Sequence, residues 1–186
     1  APFSRTMRCM TMKNLIAPLF AALALIASAP AWASPAEVSR VIPNARMVGE
    51  ASYAVLSVRL FNAQLWNDSG AFSWERPFAL TLTYDRSARA SMLINRSIRE
   101  MGSRGAGDAQ ALAPLRAQLE RCFTDVAQGD RFTGVSTAPD RAVFFHNGAQ
   151  RCEVRWPNFR RHFFGIWLAG RDGAAARLSA QLRGEA

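Results

Sequence analysis

The chain has 186 residues, of which 23 are Lys or Arg and 14 are Asp or Glu, for a formal net charge of +9. Its arginines are dispersed along the sequence, with Arg160-Arg161 the only adjacent pair. This pattern is not the clustered one of a nucleic-acid interface, so no nucleic-acid partner is expected. Dispersed arginine is compatible with ordinary surface cations, with a small anionic ligand or with an acidic membrane surface.

Residues 1–33 are expected to be a leader and signal peptide. Arg8 and Lys13 precede an apolar run from Leu15 to Ala29, and Ala31-Trp32-Ala33 supplies a small-residue cleavage site. A membrane anchor is the alternative, but the run is shorter than the ~20 residues of a bilayer span. We therefore expect cleavage near Ala33, a periplasmic or secreted location, no later transmembrane segment, and one domain over residues 34–186.

The first half of this domain is predicted to be built from strands. Residues 34–46 are weakly patterned and are interpreted as a lead-in. From Met47 to Asn67 apolar and polar residues alternate, which predicts a long strand or a bent strand pair with a bulge or bend at Gly49. Residues 77–84, PFALTLTY, alternate again and predict another strand.

Two helices are predicted in the middle of the chain. Ser87 is a candidate N-cap for a helix that runs to about Met101. A second helix runs to about Val126 and begins either at Asp108, as a cap, or at Pro114, since proline is favoured in the first helical turn.

The last third is predicted to be a sheet followed by helices. Strands are expected at 131–137, 141–146 and 149–154. Asn147-Gly148 joins the last two, and this dipeptide is the favoured pair for a two-residue hairpin turn. A helix containing FFGIWL, residues 163–168, follows, and a short helix at 174–183 ends the chain.

This order of strands, helices, strands and helices is typical of an α+β fold with a largely antiparallel sheet. In the order and spacing of PFALTLTY, Gly129-Asp130, Asn147-Gly148 and FGIWL (residues 164–168), the chain resembles the bacterial chalcone isomerase-like family. The resemblance covers roughly residues 48–183. It implies an open-faced sandwich, in which a helical layer covers one face of a curved, mainly antiparallel sheet.

A disulfide between Cys122 and Cys152 is predicted. These two cysteines remain once the leader is removed, and an even number in an exported chain favours pairing. Cys122 lies on the apolar face of its predicted helix, which has to face the sheet. A regular hairpin pairs Val143 with Cys152 and puts Phe145 on the same face as Cys152, so both sulfurs can meet between helix and sheet.

Recognised catalytic, metal and cofactor motifs are absent from the sequence. His146 and His162 are the only histidines, and neither has the spacing of a metal site, so no metal is predicted. No G-x-S-x-G occurs, and residues 102–107, GSRGAG, lack the Lys-Ser/Thr ending of a phosphate loop. We interpret that segment as a flexible break and predict no cofactor.

Arg59 is the main candidate for ligand binding. It falls within an apolar strand, on the face that carries Tyr53 and Phe61. A charge in that position needs water or a partner, so Arg59 is either simply exposed or lines a cleft and meets a carboxylate or phenolate. Tyr84 is a second candidate, with core packing as its alternative.

The resemblance implies two possible functions, catalysis and fatty-acid binding. The plant enzymes that cyclise chalcones use a Tyr on the first helix over the sheet, but residues 85–101 contain no Tyr, although Asn95 is present. Non-catalytic relatives bind fatty acids through an Arg and a Tyr, which Arg59 with Tyr53 or Tyr84 would supply. We therefore expect an exported, non-catalytic protein that binds a small amphipathic or anionic ligand such as a fatty acid. The alternative is an intramolecular lyase or isomerase acting on a small phenolic or unsaturated substrate.

Overall fold

The computed structural model describes residues 33–186, so the predicted signal peptide lies outside the described residues apart from Ala33, and its cleavage stays a prediction. The described chain forms five helices and six strands. In chain order they are α1 (Ala36–Val41), β1 (Arg46–Val55), β2 (Val58–Asn67), β3 (Phe78–Tyr84), α2 (Ala90–Ser103), α3 (Ala113–Cys122), β4 (Arg131–Ala138), β5 (Arg141–His146), β6 (Ala149–Arg155), α4 (Phe159–Leu168) and α5 (Gly173–Leu182).

The six strands form one sheet in the order β1-β2-β3-β4-β5-β6, and every neighbouring pair is antiparallel. Helices α2 and α3 are inserted between β3 and β4, and α4 and α5 follow β6. These four helices pack on one face of the sheet, with contacts from α5 to β1, from α4 to β5 and from α3 to β6. The α+β fold with an open antiparallel sheet and a helical layer is therefore as the sequence predicts.

The alternating segment from Met47 to Asn67 is a two-stranded hairpin. Its turn is Leu56-Ser57, and both residues are left-handed, with φ of 48° and 64°. The predicted bulge near Gly49 is present, because the register passes directly from Met47 to Gly49. A Cβ at Gly49 would collide with backbone oxygens at the end of α5, so glycine allows that helix to approach β1.

Aromatic side chains fill the space between the sheet and its helical layer. Phe78 and Phe144 come from the sheet, Phe159 and Phe164 come from α4, and all four are fully buried. Gly134 in β4 leaves room for two of these rings: a Cβ there would lie 2.9 Å from Phe144 and 3.1 Å from Phe164. The strand alternation therefore directs the large apolar residues towards the helices, as period-two patterning requires.

The opposite face of the sheet is covered locally by α1, which the sequence analysis did not predict. Val38 and Ile42 pack against Trp66 and neighbouring apolar residues of that face. Glu37 is only 1% exposed and accepts hydrogen bonds from the Arg131 guanidinium at 2.7 and 3.0 Å. The interpretation of residues 34–46 as a mere lead-in is therefore wrong. The sequence did not predict α1, because six residues are too few for a visible helical periodicity.

The ends of α2 and α3 differ in part from the sequence prediction. Ser87 does not cap α2; the carboxylate of Asp125 accepts a hydrogen bond from the Ala90 N–H at 2.8 Å instead. This cap comes from 35 residues away, which no local pattern can reveal. In α3, Pro114 lies in the first turn, so the later of the two predicted starts is correct. The Asp108 carboxylate instead accepts a bond from Ala111 N in the preceding turn.

The predicted disulfide joins Cys122 at the end of α3 to Cys152 in β6, with their Cα atoms 5.2 Å apart. The predicted register of this hairpin is wrong. A bulge in β6 pairs Cys152 with Phe144 instead of Val143. Cys152 therefore lies on the face of Phe144, in the core under the helices, whereas Phe145 packs with the cluster beneath α1. One extra residue in a strand reverses the faces of those beyond it.

Candidate functional site

A cavity of about 1190 Å³ lies between the sheet and the helical layer. Strands β1 to β5 form its floor, α2, α4 and α5 form its roof, and the segments after β3 and α3 close one side. This is slightly more than the ~300–1,000 Å³ typical of small-molecule pockets. The volume is sufficient for a ligand with a long apolar part.

The floor of the cavity is aromatic and aliphatic. Tyr53, Phe61 and Tyr84 occupy neighbouring positions on β1, β2 and β3, where Phe61 pairs with both tyrosines. The ring of Tyr53 stacks on that of Phe61 with centroids 5.3 Å apart. Leu80 and Leu82 continue the surface along β3. Two of the three sequence candidates, Tyr53 and Tyr84, therefore line the cavity on either side of Phe61.

The roof brings apolar residues of three helices over this floor. Phe163 and Trp167 of α4, with ring centroids 5.3 Å apart, face it together with Leu93 of α2 and Leu178 of α5. Phe163 and Trp167 lie one helical turn apart on the apolar face of α4, a pattern the sequence shows. Floor and roof together make an apolar slot whose ligand would be held mainly by the hydrophobic effect.

Five arginines line the cavity alongside two carboxylates. The carboxylates already have partners: Glu100 lies 3.9 Å from an Arg96 nitrogen, and Asp125 caps α2. The arginines flank α2 at both ends, with Arg86 and Arg89 before it and Arg104 after it; Arg96 and Arg99 lie on the helix itself. The electrostatic environment of the slot therefore favours an anion.

Arg104 differs from the other four, which are exposed, because it is partly buried. One guanidinium nitrogen donates to the carbonyl of Ala169 at the end of α4, at 3.1 Å. Its Nε is buried and has no hydrogen-bond partner among residues 33–186. An incoming carboxylate could pair with this guanidinium in a region that is screened less than the exposed surface.

Tyr84 is the buried polar group at the centre of the floor. Burial raises the pKa of its hydroxyl far above the ordinary value, and no hydrogen bond contributes to this shift. The phenol therefore stays protonated at neutral pH and can donate a hydrogen bond. A group shifted in this direction is poorly matched to general acid or base catalysis near pH 7.

Arg59 is not among the residues that line the described cavity, so the exposed position is the one of its two sequence alternatives that the structure shows. Its guanidinium binds both oxygens of Asp85, at 2.7 and 2.8 Å, and its side chain is 60% exposed. Arg59 lies near the solvent-exposed Leu56-Ser57 turn, where the carboxylate of Asp85, just after β3, is within reach. The need for a partner was inferred correctly, but the partner is a residue of the chain.

Arg104 was missed by the sequence analysis. It lies in the GSRGAG segment, whose glycines indicate a flexible break, and its contact at Ala169 is 65 residues away. Its one sequence signal was a cation placed directly after an amphipathic helix, where it stabilises helix carbonyls.

Within residues 33–186, no group of three or more His, Cys, Asp and Glu is placed to hold a metal ion. No helix of that part of the chain is long and apolar enough to cross a bilayer.

No protein-family model matches the sequence, and a comparison with curated proteins finds no match. Among solved structures, the chain is similar to the fatty-acid binding protein of Arabidopsis thaliana, with a TM-score of 0.59. The alignment covers 76% of this chain and 88% of that one, at 8% sequence identity. The chain has a chalcone isomerase-like fold. At this identity the likeness establishes the fold alone, and the site has to be argued from its own residues.

Proposed function

We propose that this chalcone isomerase-like chain is an exported, non-catalytic protein that binds an amphipathic anion, such as a fatty acid, in the cavity beneath its helical layer. The observation that carries the proposal is the combination of a long apolar slot with a partly buried arginine beside it. The similar Arabidopsis protein is named for fatty-acid binding, which supports the same ligand class.

The length of the slot suits an acyl chain. Its lining residues include Arg89 before α2 and Arg104 after it. The 14 residues of α2 between them correspond to about 21 Å. Phe61 of the floor and Trp167 of the roof present apolar surface to the same cavity. An extended acyl chain lying along α2 would be removed from water over most of its length, at ~25 cal/mol per Å² of apolar surface.

The proposed anchor for the carboxylate is Arg104, with Tyr84 as a neutral donor on the floor. Arg104 keeps hydrogen-bonding capacity after bonding Ala169. A charge-assisted bond in a partly buried site contributes roughly 1.5–3 kcal/mol. Tyr84 and Tyr53 would contact the chain or the head group through a neutral phenol.

An intramolecular lyase or isomerase is the second candidate, and the observation in its favour is the buried, protonated phenol of Tyr84 within the cavity. A neutral phenol could orient a substrate carbonyl. Binding is favoured over catalysis because Glu100 and Asp125, the two carboxylates of the cavity lining, are both engaged in structural contacts.

Calorimetric titration of delipidated protein with dodecanoate tests the binding function. We expect saturable binding, and Arg104→Gln should weaken it by about 10- to 100-fold. Tyr84→Phe should have a smaller effect. Arg59→Gln is the matched control, since it removes one arginine outside the cavity and should leave the affinity unchanged.

Two results would reject parts of this proposal. An absence of binding, or equal affinity for dodecanoate and dodecanol, would remove the anionic ligand class. Formation of a flavanone from a chalcone by the purified protein, abolished by Tyr84→Phe, would replace the binding function with the lyase.

A further inference from the structure

The turn between β1 and β2 presents apolar side chains to solvent. Leu56 is 95% exposed, and the adjoining Val55 and Val58 are 45% and 42% exposed. These are three of the four large exposed hydrophobic residues among positions 33–186; the fourth, Met92, lines the cavity. We call Val55-Leu56-Ser57-Val58 the apolar tip.

The apolar tip is not required by the hairpin itself. Leu56 and Ser57 both have positive φ, a conformation that Asn-Gly adopts easily and that is strained for leucine. Leucine has no hydrogen-bonding side chain, and the Ser57 hydroxyl makes no hydrogen bond to another residue among positions 33–186. A leucine at this position is therefore unfavourable for the isolated fold, and its side chain gains nothing by contact within the molecule.

Arginines lie in the two chain segments next to the base of the apolar tip. Arg59 follows it on β2 and is held by Asp85, and the backbone N–H of Asp85 donates to Leu60 at 2.9 Å. The next two arginines of that segment, Arg86 and Arg89, are exposed. The combination is an apolar projection with cations behind it, which complements the acyl region and the phosphates of an anionic bilayer.

We infer that the apolar tip docks the protein on anionic lipid bilayers. A strand rises about 3.3 Å per residue, so Leu56 lies about 10 Å beyond Tyr53. That distance matches the about 5–10 Å to which interfacial elements enter a membrane. Insertion to this depth brings Arg86 and Arg89 to the lipid phosphates. It also places Tyr53 and Phe61, which line the cavity, next to the membrane surface.

Membrane docking by the apolar tip does not depend on a ligand in the cavity. It is therefore tested with vesicles and without any added ligand. Purified protein is sedimented with vesicles of 30% phosphatidylglycerol in phosphatidylcholine and, separately, with pure phosphatidylcholine. We expect partitioning into the anionic vesicles that weakens as salt is added, and little binding to the neutral ones.

The decisive variant is Leu56→Asn/Ser57→Gly. It installs the preferred turn pair, so the hairpin is retained, but it removes the apolar anchor. Partitioning should fall about tenfold, the size expected for loss of one buried leucine side chain. An unchanged partition coefficient would overturn the inference, as would equal binding to neutral and anionic vesicles.

A charge variant and its control complete the test. Arg86→Gln/Arg89→Gln should lower binding to anionic vesicles about tenfold. Arg121→Gln/Arg151→Gln makes the same change of charge in α3 and β6, at the sheet edge opposite β1, and should change binding little. Equal losses of vesicle binding in the two variants would show that net charge alone causes the loss and that Arg86 and Arg89 have no specific role. Self-association that is abolished by Leu56→Asn/Ser57→Gly would assign the tip to a second copy instead.

Discussion

Two of the tight hairpin turns of the sheet have the same backbone geometry and opposite surroundings. Leu56-Ser57 and Asn147-Gly148 are both left-handed at both positions. Asn147 accepts a bond from Arg131 N at 2.8 Å and donates one to Asp130 at 2.9 Å, and Arg40 binds the Gly148 carbonyl. The Leu56-Ser57 turn has no such side-chain bonds within residues 33–186, and it exposes a leucine.

The comparison indicates that the Asn147-Gly148 turn stabilises the fold, whereas the Leu56-Ser57 turn does not. Asn-Gly combines residues suited to positive φ with side-chain hydrogen bonds to neighbouring segments. Leu-Ser combines unfavourable backbone geometry with unburied apolar surface. A feature that is unfavourable for folding is the kind of local exception that points to a function elsewhere.

The largest expected effect concerns the disulfide that joins β6 of the second hairpin to α3. Cys122→Ala/Cys152→Ala should lower the free energy of unfolding by about 3–4 kcal/mol, because the disulfide closes a loop of 30 residues. Urea unfolding under non-reducing conditions measures this. Reduced wild-type protein is the control and should unfold near the variant's midpoint; equal midpoints for oxidised wild type and variant would contradict the expectation.

Exchanging the second turn for the first should be the next largest change. Asn147→Leu/Gly148→Ser should lower the free energy of unfolding by about 2 kcal/mol. It removes the bond to Arg131 and places a side chain at the positive φ of Gly148. Thermal or urea unfolding with the disulfide intact measures the change, and a loss below about 0.5 kcal/mol would show that the turn contributes little.

The reverse exchange should have a smaller effect of opposite sign. Leu56→Asn/Ser57→Gly should raise the free energy of unfolding by about 1 kcal/mol, because Asn and Gly adopt left-handed backbone more readily than Leu and Ser. The same urea experiment measures it. A stability gain together with a loss of vesicle binding would separate the two roles; a loss of stability would mean that Leu56 packs within the fold.

The smallest expected effect is a dependence on acid that belongs only to the second turn. The Ala127 N–H, the Asn147 side chain and His146 lower the pKa of Asp130 to about 2. A folded pKa below the ordinary 3.8 means that this stabilisation is complete above about pH 4 and is lost as the pH falls towards 2.

Urea unfolding at pH 5, 4, 3 and 2 measures the acid dependence. The stability difference between wild type and Asp130→Asn should shrink over this range. Leu56→Asn/Ser57→Gly is the control and should lose stability with acid as wild type does, since its turn contains no titratable group. A difference that is constant with pH would exclude a contribution from Asp130.

The strands and the later helices were predicted well because their patterns are local. PFALTLTY forms β3 with Leu80, Leu82 and Tyr84 facing the core under the helices, and Asn147-Gly148 forms the predicted turn. The alternation of a strand and the φ preference of a turn depend on residues adjacent in sequence. The prediction was wrong at the β6 bulge, which puts Cys152 on the face of Phe144 instead of Phe145 and leaves no mark in the local pattern.

The candidate site was predicted only in part. Tyr53 and Tyr84 were identified from their strand positions, and both line the cavity. Arg59 was chosen because it interrupts an apolar pattern, but Asp85 satisfies it outside the cavity. Arg104 was overlooked, because its burial depends on the end of α4 closing over it. A charge's surroundings are set by residues far away in sequence.

By itself the sequence determined the strands, the approximate helices, the Asn147-Gly148 turn and the pair of cysteines able to form a disulfide, since each rests on neighbouring residues or composition. Only the tertiary structure decided which side chains share the cavity and which cation keeps hydrogen-bonding capacity there. It also revealed that the Leu56 side chain is exposed to solvent and does not pack in the core. The physical reason is that burial and pairing are relations between segments, and those relations exist only once the sheet and its helices have packed together.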